Sequence, residues 1–351
     1  MIALYFASMD EAAGKSALCS ALGLSLKAEG ERVGFFKPVT VLTDKANAGT
    51  VVRDTEFIKQ LLALEEQVDL LCPVSLSTKE FSATANEKNP AWLAKVKETY
   101  LKVSQGKDIV LIEGVSGFKA GSAQALVGSL TTKALGAKAI LIVRYQSDLK
   151  ASQIVSAAQA LAGHLLGVVI NAMPQRRIKS VKSTLVPSLE QSGVEVLGTL
   201  PEDRALLTIS VGELVEHLEG SILNSPQSSE NLVESIMVGA MSPDPAVSYL
   251  SLKSNKAVIT RGDRPDIQLA ALTTSTSCLI LTGDIKPLPN VLGRAKEINV
   301  PIVVVKQGTA HTMEAVERAL DRAKFSHLKK VERLEGLLQE HLNFEPIHQG
   351  S

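Results

Sequence analysis

The stretch SMDEAAGKSALCSAL, residues 8–22, follows an apolar run at residues 2–6 and opens a segment whose pattern favours a helix. Gly14, Lys15 and Ser16 supply the last positions of the phosphate-loop pattern G-x-x-x-x-G-K-[S/T], which lies between a strand and a helix. In such a loop, backbone amides at the helix N-terminus bind an anion, and the lysine reaches the outer phosphates. The stretch therefore predicts a nucleotide site, against the alternative of an ordinary strand–turn–helix corner.

The loop departs from that pattern at several positions. Met9 stands where the first glycine belongs, and Ala12 and Ala13 replace residues that are often glycine. Asp10 and Glu11 bring negative charge close to the expected phosphates. These departures keep open the hypothesis of a degenerate scaffold that binds no nucleotide, in which the loop is collapsed or blocked by Glu11.

Length and charge restrict the classes of function. The chain has 351 residues, with 37 Lys plus Arg and 37 Asp plus Glu, so its formal net charge is zero. A general binder of nucleic acid or of membrane surfaces would carry a basic excess, and aromatic residues, at 4%, are too few for base stacking to dominate. We therefore expect neither nucleic acid nor a membrane as a partner.

The cysteines and the N-terminus indicate a compartment. Cys19, Cys72 and Cys278 lie far apart and form no C-x-x-C pair, which predicts reduced thiols rather than a disulfide or zinc framework. The N-terminus shows no signal peptide, and no apolar run reaches the roughly 18 residues that span a bilayer. These features predict a cytoplasmic protein.

Short β-branched runs alternate with helical stretches along the chain. The predicted strands of the first part are Ile2–Phe6, Arg32–Phe36, Ile109–Ile112, Ala139–Val143, Leu166–Ile170 and Val196–Leu200. The predicted helices there are Lys15–Ala28, Thr55–Leu64, Ala91–Gln105, Ala123–Ala134, Lys150–Leu161 and Val181–Gln191. These strands are apolar along their length, as strands buried on both faces are. The alternation predicts an α/β fold with a parallel, doubly wound sheet. Together with the phosphate-loop pattern at residues 14–16, it predicts a sheet of the P-loop NTPase type.

The pattern restarts after residue 205 with a smaller α/β domain. Its predicted strands are Leu232–Val238, Ala257–Thr260, Cys278–Leu281 and Ile302–Val305. Its predicted helices are Val211–Leu218, Pro245–Leu250, Pro265–Thr273, Pro289–Glu297 and Met313–Lys324. We therefore predict a P-loop domain over residues 1–205, a second domain over 206–324 and a C-terminal helical tail over 325–351. The tail's helix, Leu328–Leu342, could pack on a neighbour or stay partly free.

Three charged residues of the first domain stand near predicted strand ends, where open α/β sheets bind ligands. Lys37 could stabilise phosphate charge, or it could be an exposed lysine after a strand. Glu113 could hold Mg²⁺, or it could be a solvated residue at a strand end. Asp54 could be an acid on the metal side, or it could be the N-cap of the next helix.

These motifs occur in a recognisable order: Gly14-Lys15-Ser16, Lys37-Pro38-Val39, Arg53-Asp54-Thr55-Glu56, Ile112-Glu113-Gly114 and Asn171-Ala172-Met173-Pro174. In this order the sequence resembles the dethiobiotin synthetase-like P-loop ATP-binding domains, in the version found at the N-terminus of long bacterial phosphotransacetylases. The resemblance implies that ATP and Mg²⁺ are bound, with Lys15 and Lys37 as catalytic lysines on the phosphate side. It also implies that Ser16, Asp54 and Glu113 lie on the metal. The implied nucleotide contacts are Ala12, Ala13, Gly14, Lys15, Ser16, Ala17, Asn171 at the adenine edge, and Pro201.

The second domain contains the stretch TRGDRPDIQ, residues 260–268. This stretch is similar to the DRTGG-type domain that follows the same ATP-binding domain in those phosphotransacetylases, and the resemblance implies a homodimer. A strand-to-helix turn with a glycine, two arginines and two acids could bind a small anionic effector at Arg261–Asp266. It could equally be a salt-bridged corner at a dimer interface.

The leading hypothesis is a nucleotide-binding regulatory or sensor protein, with ATP and Mg²⁺ in the first domain and an effector or dimer contact in the second. The long phosphotransacetylases continue with an acetyl-transfer domain, whereas this sequence stops at Ser351, so we do not expect a complete enzyme of that type. The rival hypothesis is an ATP-dependent ligase of the dethiobiotin synthetase type. Against it, residues 40–44 lack the Ser/Gly pair with which that synthetase binds its substrate. The degenerate scaffold is the third hypothesis.

Overall fold

The computed structural model describes residues 1–42, 48–84, 87, 90–161, 163–321, 325 and 327–349 of the chain. The chain forms two compact units, one made of Met1–Glu202 together with Phe325–Ser351 and the other made of Asp203–Lys324. The predicted α/β class is confirmed, because each unit contains a mainly parallel sheet with helices packed against it. Among the described residues, every helix is too short or too polar to cross a membrane.

The first unit begins with a regular alternation of strands and helices. Its strands are β1 Ile2–Ser8, β2 Val33–Phe36, β3 Val39–Leu42, β4 Val74–Ser77, β5 Ile109–Ser116, β6 Lys138–Arg144, β7 Leu165–Met173 and β8 Val196–Pro201. Its helices are α1 Lys15–Ala28, α2 Ala48–Leu62, α3 Val68–Leu71, α4 Thr78–Thr84, α5 Ala91–Val103, α6 Ala123–Leu135, α7 Ala151–Gln159 and α8 Ile178–Gln191.

The large sheet of the first unit is parallel throughout, with the strand order β2-β5-β1-β6-β7-β8. Its strands are continuous apolar runs because helices cover both faces; residues 109–112 of β5, for example, are at most 2% exposed. Since all these strands run the same way, their carboxyl ends meet at one edge. That edge is where open α/β sheets bind ligands.

Helix α1 follows the phosphate loop directly and anchors it to the sheet. Leu18, Leu22 and Leu26 recur every four residues, which places them on one face of the helix, and each is at most 2% exposed. The helix spans Lys15–Ala28, the bounds that the sequence predicted. Because this apolar face is fixed on the sheet, the first turn of α1 is held at the carboxyl edge.

The segment between β2 and α5 contains elements that the sequence analysis did not predict. Strands β3 and β4 form a separate two-stranded parallel sheet, and α3 and α4 are short helices. Strands β3 and β4 contain Thr40, Ser75 and Ser77, so they lack the continuous apolar runs of the predicted strands. Helices α3 and α4 each bury a single residue, Leu71 and Phe81, which is too few for a periodic apolar stripe. Helix α2 begins at Ala48 rather than at Thr55. Residues 43–47, which include part of the stretch 40–44 considered for the ligase hypothesis, lie outside the described residues.

The second unit has its own sheet. Its strands are β9 Ile209–Ser210, β10 Ser221–Ile222, β11 Leu232–Val233, β12 Ser235–Val238, β13 Lys256–Arg261, β14 Thr276–Thr282 and β15 Ile302–Val304. Its helices are α9 Val211–Leu218, α10 Ala246–Leu250, α11 Pro265–Ala271, α12 Pro289–Glu297 and α13 Thr309–Asp321. The five-stranded sheet has the order β10-β15-β14-β13-β12 and is parallel except for the edge strand β10. One apolar cluster joins it to α9 and α13, and another joins it to α10, α11 and α12.

Two predicted elements of this unit differ in the structure. The single predicted strand Leu232–Val238 divides, because β11 pairs antiparallel with β9 whereas β12 pairs parallel with β13. Between them, Glu234 donates its backbone N–H to the carbonyl oxygen of Asn255 at 2.8 Å. The helix predicted from Met313 begins at Thr309, and the last predicted residues, 322–324, lie outside the described part of the chain.

After the second unit the chain returns to the first, with helices α14 Leu328–His341 and α15 Glu345–Gln349. Val331 and Leu338 of α14 are fully buried, and the helix packs on α1 and β8. The backbone N–H of Asn343 donates to the carbonyl oxygen of Leu197 in β8 at 2.7 Å. The segment predicted as a separate tail over 325–351 therefore belongs to the first unit, because its apolar stripe covers α1 and the neighbouring strands.

Candidate functional site

Lys15 is buried at the carboxyl ends of β1 and β5. Its Nζ donates to Ser8 Oγ at 2.8 Å and to Ser116 Oγ at 2.5 Å, and the residue is 6% exposed. Burial lowers the pKa of Lys15 to about 8, although the negative charge of Glu113 acts in the opposite direction. Burial of this ammonium is unfavourable because its two hydrogen-bond acceptors are neutral hydroxyls, and a bound anion would stabilise its charge.

Glu113 connects the first turn of α1 to Lys37. Its Oε1 accepts from the Ser16 hydroxyl at 2.9 Å and from Lys37 Nζ at 2.9 Å, and the residue is 4% exposed. Burial acts to raise the pKa of this carboxyl, but Lys37 and Lys15 outweigh burial and hold the pKa below its usual range. For Lys37, burial acts to lower the pKa, and the contact with Glu113 raises it overall. The pair is ionised, and the structure brings all four of these side chains to one site.

The phosphate loop is braced by two side chains from neighbouring strands. Asn171 of β7 donates Nδ2 to the carbonyl oxygen of Ala13 at 2.8 Å, and Arg144 of β6 donates Nη1 to that of Ala12 at 3.1 Å. Gly14 caps α1 with φ 96°, in the left-handed region that favours glycine. A Cβ on Gly14 would also lie 2.6 Å from Asn171 Nδ2. The loop conformation therefore depends on glycine and on contacts distant in sequence.

The acidic residues of the loop do not fill the N-terminus of α1. Glu11 is exposed, and its side chain makes no hydrogen bond within the described residues. Asp10 takes part through its backbone carbonyl, which accepts from the Ser8 hydroxyl at 2.7 Å. Ala17 lies in the first turn of α1 and is 9% exposed. The exposure of Glu11 argues against the blockage that the degenerate-scaffold hypothesis expected.

The two residues expected beside the base lie on adjacent strands. Besides its bond to the loop, Asn171 accepts on Oδ1 from the backbone N–H of Ala172 at 2.8 Å. Pro201 ends β8 opposite Met173 of β7. A contact of Asn171 or Pro201 with adenine stays a prediction. The bond from Asn171 to the phosphate loop is a role that the sequence analysis did not expect.

Asp54 is half-buried within helix α2. The alternative reading of Asp54 as a helix N-cap is wrong, because α2 already begins at Ala48. The charge of Asp54 acts on Lys37, where it is one of the weaker contributions that raise the lysine's pKa. The role of Asp54 toward a metal ion stays a prediction.

The oxygen donors at this site suit a hard cation that also binds phosphate. Ser16 Oγ and Glu113 Oε1 are in hydrogen-bond contact, and hydroxyl and carboxylate oxygens are ligands that Mg²⁺ takes in proteins. Among the described residues, no group of three or more His, Cys, Asp or Glu side chains could hold a metal ion alone. Mg²⁺ commonly keeps several waters and binds substrate phosphates. These two residues therefore fit magnesium that arrives with a nucleotide.

The turn between β13 and α11 in the second unit is a salt-bridged corner. Arg261 pairs with Asp263 at 2.6 Å, and Arg264 pairs with Asp266 at 2.7 Å. Arg264 also donates to the carbonyl oxygen of Met241 at 2.8 Å. Each guanidinium is thus neutralised by a carboxylate two residues away. Binding of an anionic effector at this turn stays a prediction.

Three residues of the phosphate-loop site were missed from the sequence: Ser8, Ser116 and Arg144. Each ends a strand of the parallel sheet, and the register of β1 with β5 and β6 brings these ends together. Their positions in the sequence could have indicated them as site residues, because Ser8 directly precedes the loop and Ser116 follows Glu113 closely. Their hydroxyl and guanidinium groups matter only through contacts that the sequence alone does not display.

Comparison with known families agrees with this architecture. The profile described as AAA domain matches residues 3–209, more than half of the chain, and the chain belongs to that family. The profile described as DRTGG domain matches residues 213–319. The resemblance to a dethiobiotin synthetase-like P-loop domain followed by a DRTGG-type domain is confirmed.

The relatives differ in how much of the chain they cover. A phosphate acetyltransferase of Pseudomonas putida is 24% identical over 368 residues, which cover 99% of this chain and 52% of the relative. An ATP-dependent dethiobiotin synthetase of Caldicellulosiruptor bescii is 29% identical over 119 residues, which cover 33% of this chain and 49% of the relative. This chain thus spans about half the length of the phosphate acetyltransferase. A cobyrinic acid a,c-diamide synthase of Mycobacterium smegmatis, solved with ADP and magnesium, superposes over 58% of this chain and 88% of its own at 13% identity, with a TM-score of 0.37, too low to argue from.

Proposed function

We propose that this protein binds ATP with Mg²⁺ at the phosphate-loop site and acts as a nucleotide-binding regulatory protein. The observation that carries the proposal is the convergence of Lys15, Ser16 and Glu113 at the N-terminus of α1. Glu113 comes from β5, far in sequence from Lys15 and Ser16, and both Lys15 and Glu113 are buried. Burying charge is unfavourable unless it is compensated, so a buried charged cluster at a sheet's ligand-binding edge is a strong candidate for a functional site.

Each residue has a definite task in this proposal. The amides that follow Gly14 and the ammonium of Lys15 hold the outer phosphates, as at other helix N-termini that bind phosphate. Ser16 and Glu113 hold Mg²⁺, which neutralises phosphate charge when it is bound. Lys37 keeps Glu113 ionised and adds a second positive charge beside the phosphates.

The regulatory part of the proposal rests on the second unit and on the relatives. Nearly the whole chain aligns with about half of a phosphate acetyltransferase, and the aligned part contains both the P-loop and the DRTGG-type units. The second unit would receive a small anionic effector at the turn Arg261–Asp266, or it would contact a second copy of the chain. Effector binding there would change the nucleotide affinity of the first unit.

A calorimetric titration of the purified protein with ATP and Mg²⁺ tests the proposal. We expect dissociation constants in the micromolar range or below, and no measurable binding by the Lys15→Ala variant. Lys27, on the last turn of the same helix, is a matched control, because its Nζ donates to the carbonyl oxygen of Leu62 far from the loop. Lys27→Ala should therefore bind as the unsubstituted protein does. Equal affinities for the unsubstituted protein and Lys15→Ala would refute the phosphate-loop assignment.

A ligase of the dethiobiotin synthetase type is the second candidate, and the position of Lys37 favours it. Lys37 bonds to the same carboxylate oxygen as Ser16, so it lies close to where a transferring phosphoryl group would be neutralised. In that reaction a carboxylate would accept the γ-phosphoryl group and ADP would leave. ADP release that depends on an added carboxylate would favour the ligase. Tight ATP binding without such release would favour the regulatory protein.

A further inference from the structure

Lys15 keeps one donor uncommitted. An ammonium has three N–H donors, and the Lys15 ammonium gives one to Ser8 Oγ and one to Ser116 Oγ. Within the described part of the chain, no third hydrogen-bond partner of Lys15 is present. A side chain that is only 6% exposed can hardly direct its last donor to bulk water. The remaining N–H is therefore available to an oxygen atom of a ligand.

The two serines differ in what their own protons do. The Ser8 hydroxyl accepts from Lys15 and donates to the carbonyl oxygen of Asp10, and Ser8 is fully buried. The Ser116 hydroxyl accepts from Lys15, and its proton has no acceptor among the described residues. Ser116 is only half-buried. Ser8 thus serves the loop, whereas Ser116 offers a free O–H beside the free N–H of Lys15.

An irregularity in the sheet places Ser116 there. Strands β1 and β5 pair Phe6 with Glu113 and then Ser8 with Ser116, so β5 has one residue more than β1 over this interval. The extra residue falls next to Gly114, where a Cβ would lie 2.2 Å from the ring of Tyr5. Such bulges re-aim the side chains that follow them. Without the extra residue, the Ser116 side chain would not lie opposite Ser8.

We propose that Ser116 is a ligand-binding residue, whose hydroxyl and the third N–H of Lys15 together receive the terminal phosphate of a nucleoside triphosphate. This inference rests on the proposed ATP binding and names the residue that distinguishes a triphosphate from a diphosphate. Ser8 is a positioning residue, which holds the Lys15 ammonium and the loop carbonyl of Asp10 together. The extra residue of β5 brings Ser116 opposite Ser8, so both hydroxyls contact the lysine.

The test compares two nucleotides and two serines in the full chain. Ser116→Ala, Ser116→Thr and Ser8→Ala are titrated calorimetrically, in Mg²⁺, with the β,γ-imido analogue of ATP and with ADP. A hydrogen bond to a charged group is worth roughly tenfold to hundredfold in affinity. We expect Ser116→Ala to lose roughly that factor for the triphosphate analogue and clearly less for ADP, for which only the support that Ser116 gives to Lys15 is lost. Ser116→Thr should restore triphosphate binding. Ser8→Ala should weaken both nucleotides alike, because it acts through Lys15 and the loop.

A remote serine supplies the neutral control. Ser192 directly follows α8, is exposed, and its hydroxyl donates to the carbonyl oxygen of Ser188, so Ser192→Ala should leave both affinities unchanged. Equal losses for both nucleotides in Ser116→Ala, or no loss for either, would overturn the role of Ser116 while leaving ATP binding intact. Failure of the unsubstituted protein to bind either nucleotide would instead overturn the proposed function, and this inference with it.

Discussion

The molecule contains two strand-to-helix corners of similar composition, residues 8–17 in the first unit and 260–268 in the second, and they use charge in opposite ways. In the first corner, Lys15 of α1 bonds to Ser8 of β1 and Ser116 of β5, and both Lys15 and Ser8 are buried. In the second, Arg261 pairs with Asp263 of the same turn, and both side chains are exposed. Burying the charges of the first corner removes water from them at a cost in free energy, whereas the exposed pair of the second corner stays hydrated. Buried charged clusters of the first kind are concentrated at functional sites.

Removing Glu113 should produce the largest effect on stability. Glu113→Gln leaves Lys37, which is 18% exposed, as a buried cation without its partner. Breaking a buried ion pair by removing one partner costs about 3–5 kcal/mol. Urea unfolding followed by circular dichroism should show a loss of that size, and Mg²⁺ should no longer strengthen nucleotide binding.

Two further variants show whether the broken Lys37–Glu113 pair causes this loss of stability. The double variant Glu113→Gln with Lys37→Met replaces the cation with an apolar chain of similar shape, so it should recover part of the lost stability. Asp108 precedes β5 at its opposite end and pairs with the exposed Arg32, so Asp108→Asn should shift the urea midpoint far less. Comparable losses for Asp108→Asn and Glu113→Gln would mean that burial does not distinguish the two pairs.

Substituting a glycine in either corner should lower stability by an intermediate amount, but the two substitutions should differ in their effect on ATP binding. Gly14→Ala forces a left-handed residue, which costs about 1–2 kcal/mol, and presses its Cβ toward Asn171. Gly262→Ala places a Cβ 2.1 Å from the carbonyl oxygen of Ile285, which costs about 1–3 kcal/mol by overpacking. Both should lower the urea midpoint, but only Gly14→Ala should weaken ATP binding. Weakened binding in Gly262→Ala would instead reveal coupling between the two units.

The sequence predicted the parts of the fold that have long, regular patterns. Helices α1 and α9 have the predicted bounds, because each has a clear apolar stripe, and α9 also begins with a capping box of Ser210 and Glu213. Strands β3 and β4 were missed because Thr40, Ser75 and Ser77 interrupt their apolar runs. The return of α14 to the first unit was also missed, because an amphipathic helix indicates that it packs on something but not on what.

The same limit applies to the site. Lys15 and Ser16 were found through a local motif, and Lys37 and Glu113 through their places after apolar strands. Ser116 was not found, because its contact with Lys15 depends on the β1–β5 register and on one extra residue. The sequence therefore predicted which charged residues meet at the N-terminus of α1 but not how the lysine is held.

Substituting the arginines of the second corner should have the smallest effects on stability, and the two ion pairs of this turn should differ in their contributions. Arg264→Ala removes a bond to the carbonyl oxygen of Met241, which follows β12, so it should cost about 1 kcal/mol in urea unfolding. Arg261→Ala removes only the exposed contact with Asp263 and should leave the unfolding midpoint within measurement error. Neither variant should change ATP affinity in the absence of an effector. A large loss of stability in Arg261→Ala would show that Arg261 makes a further contact, and the second corner would then resemble the first in depending on residues beyond its own turn.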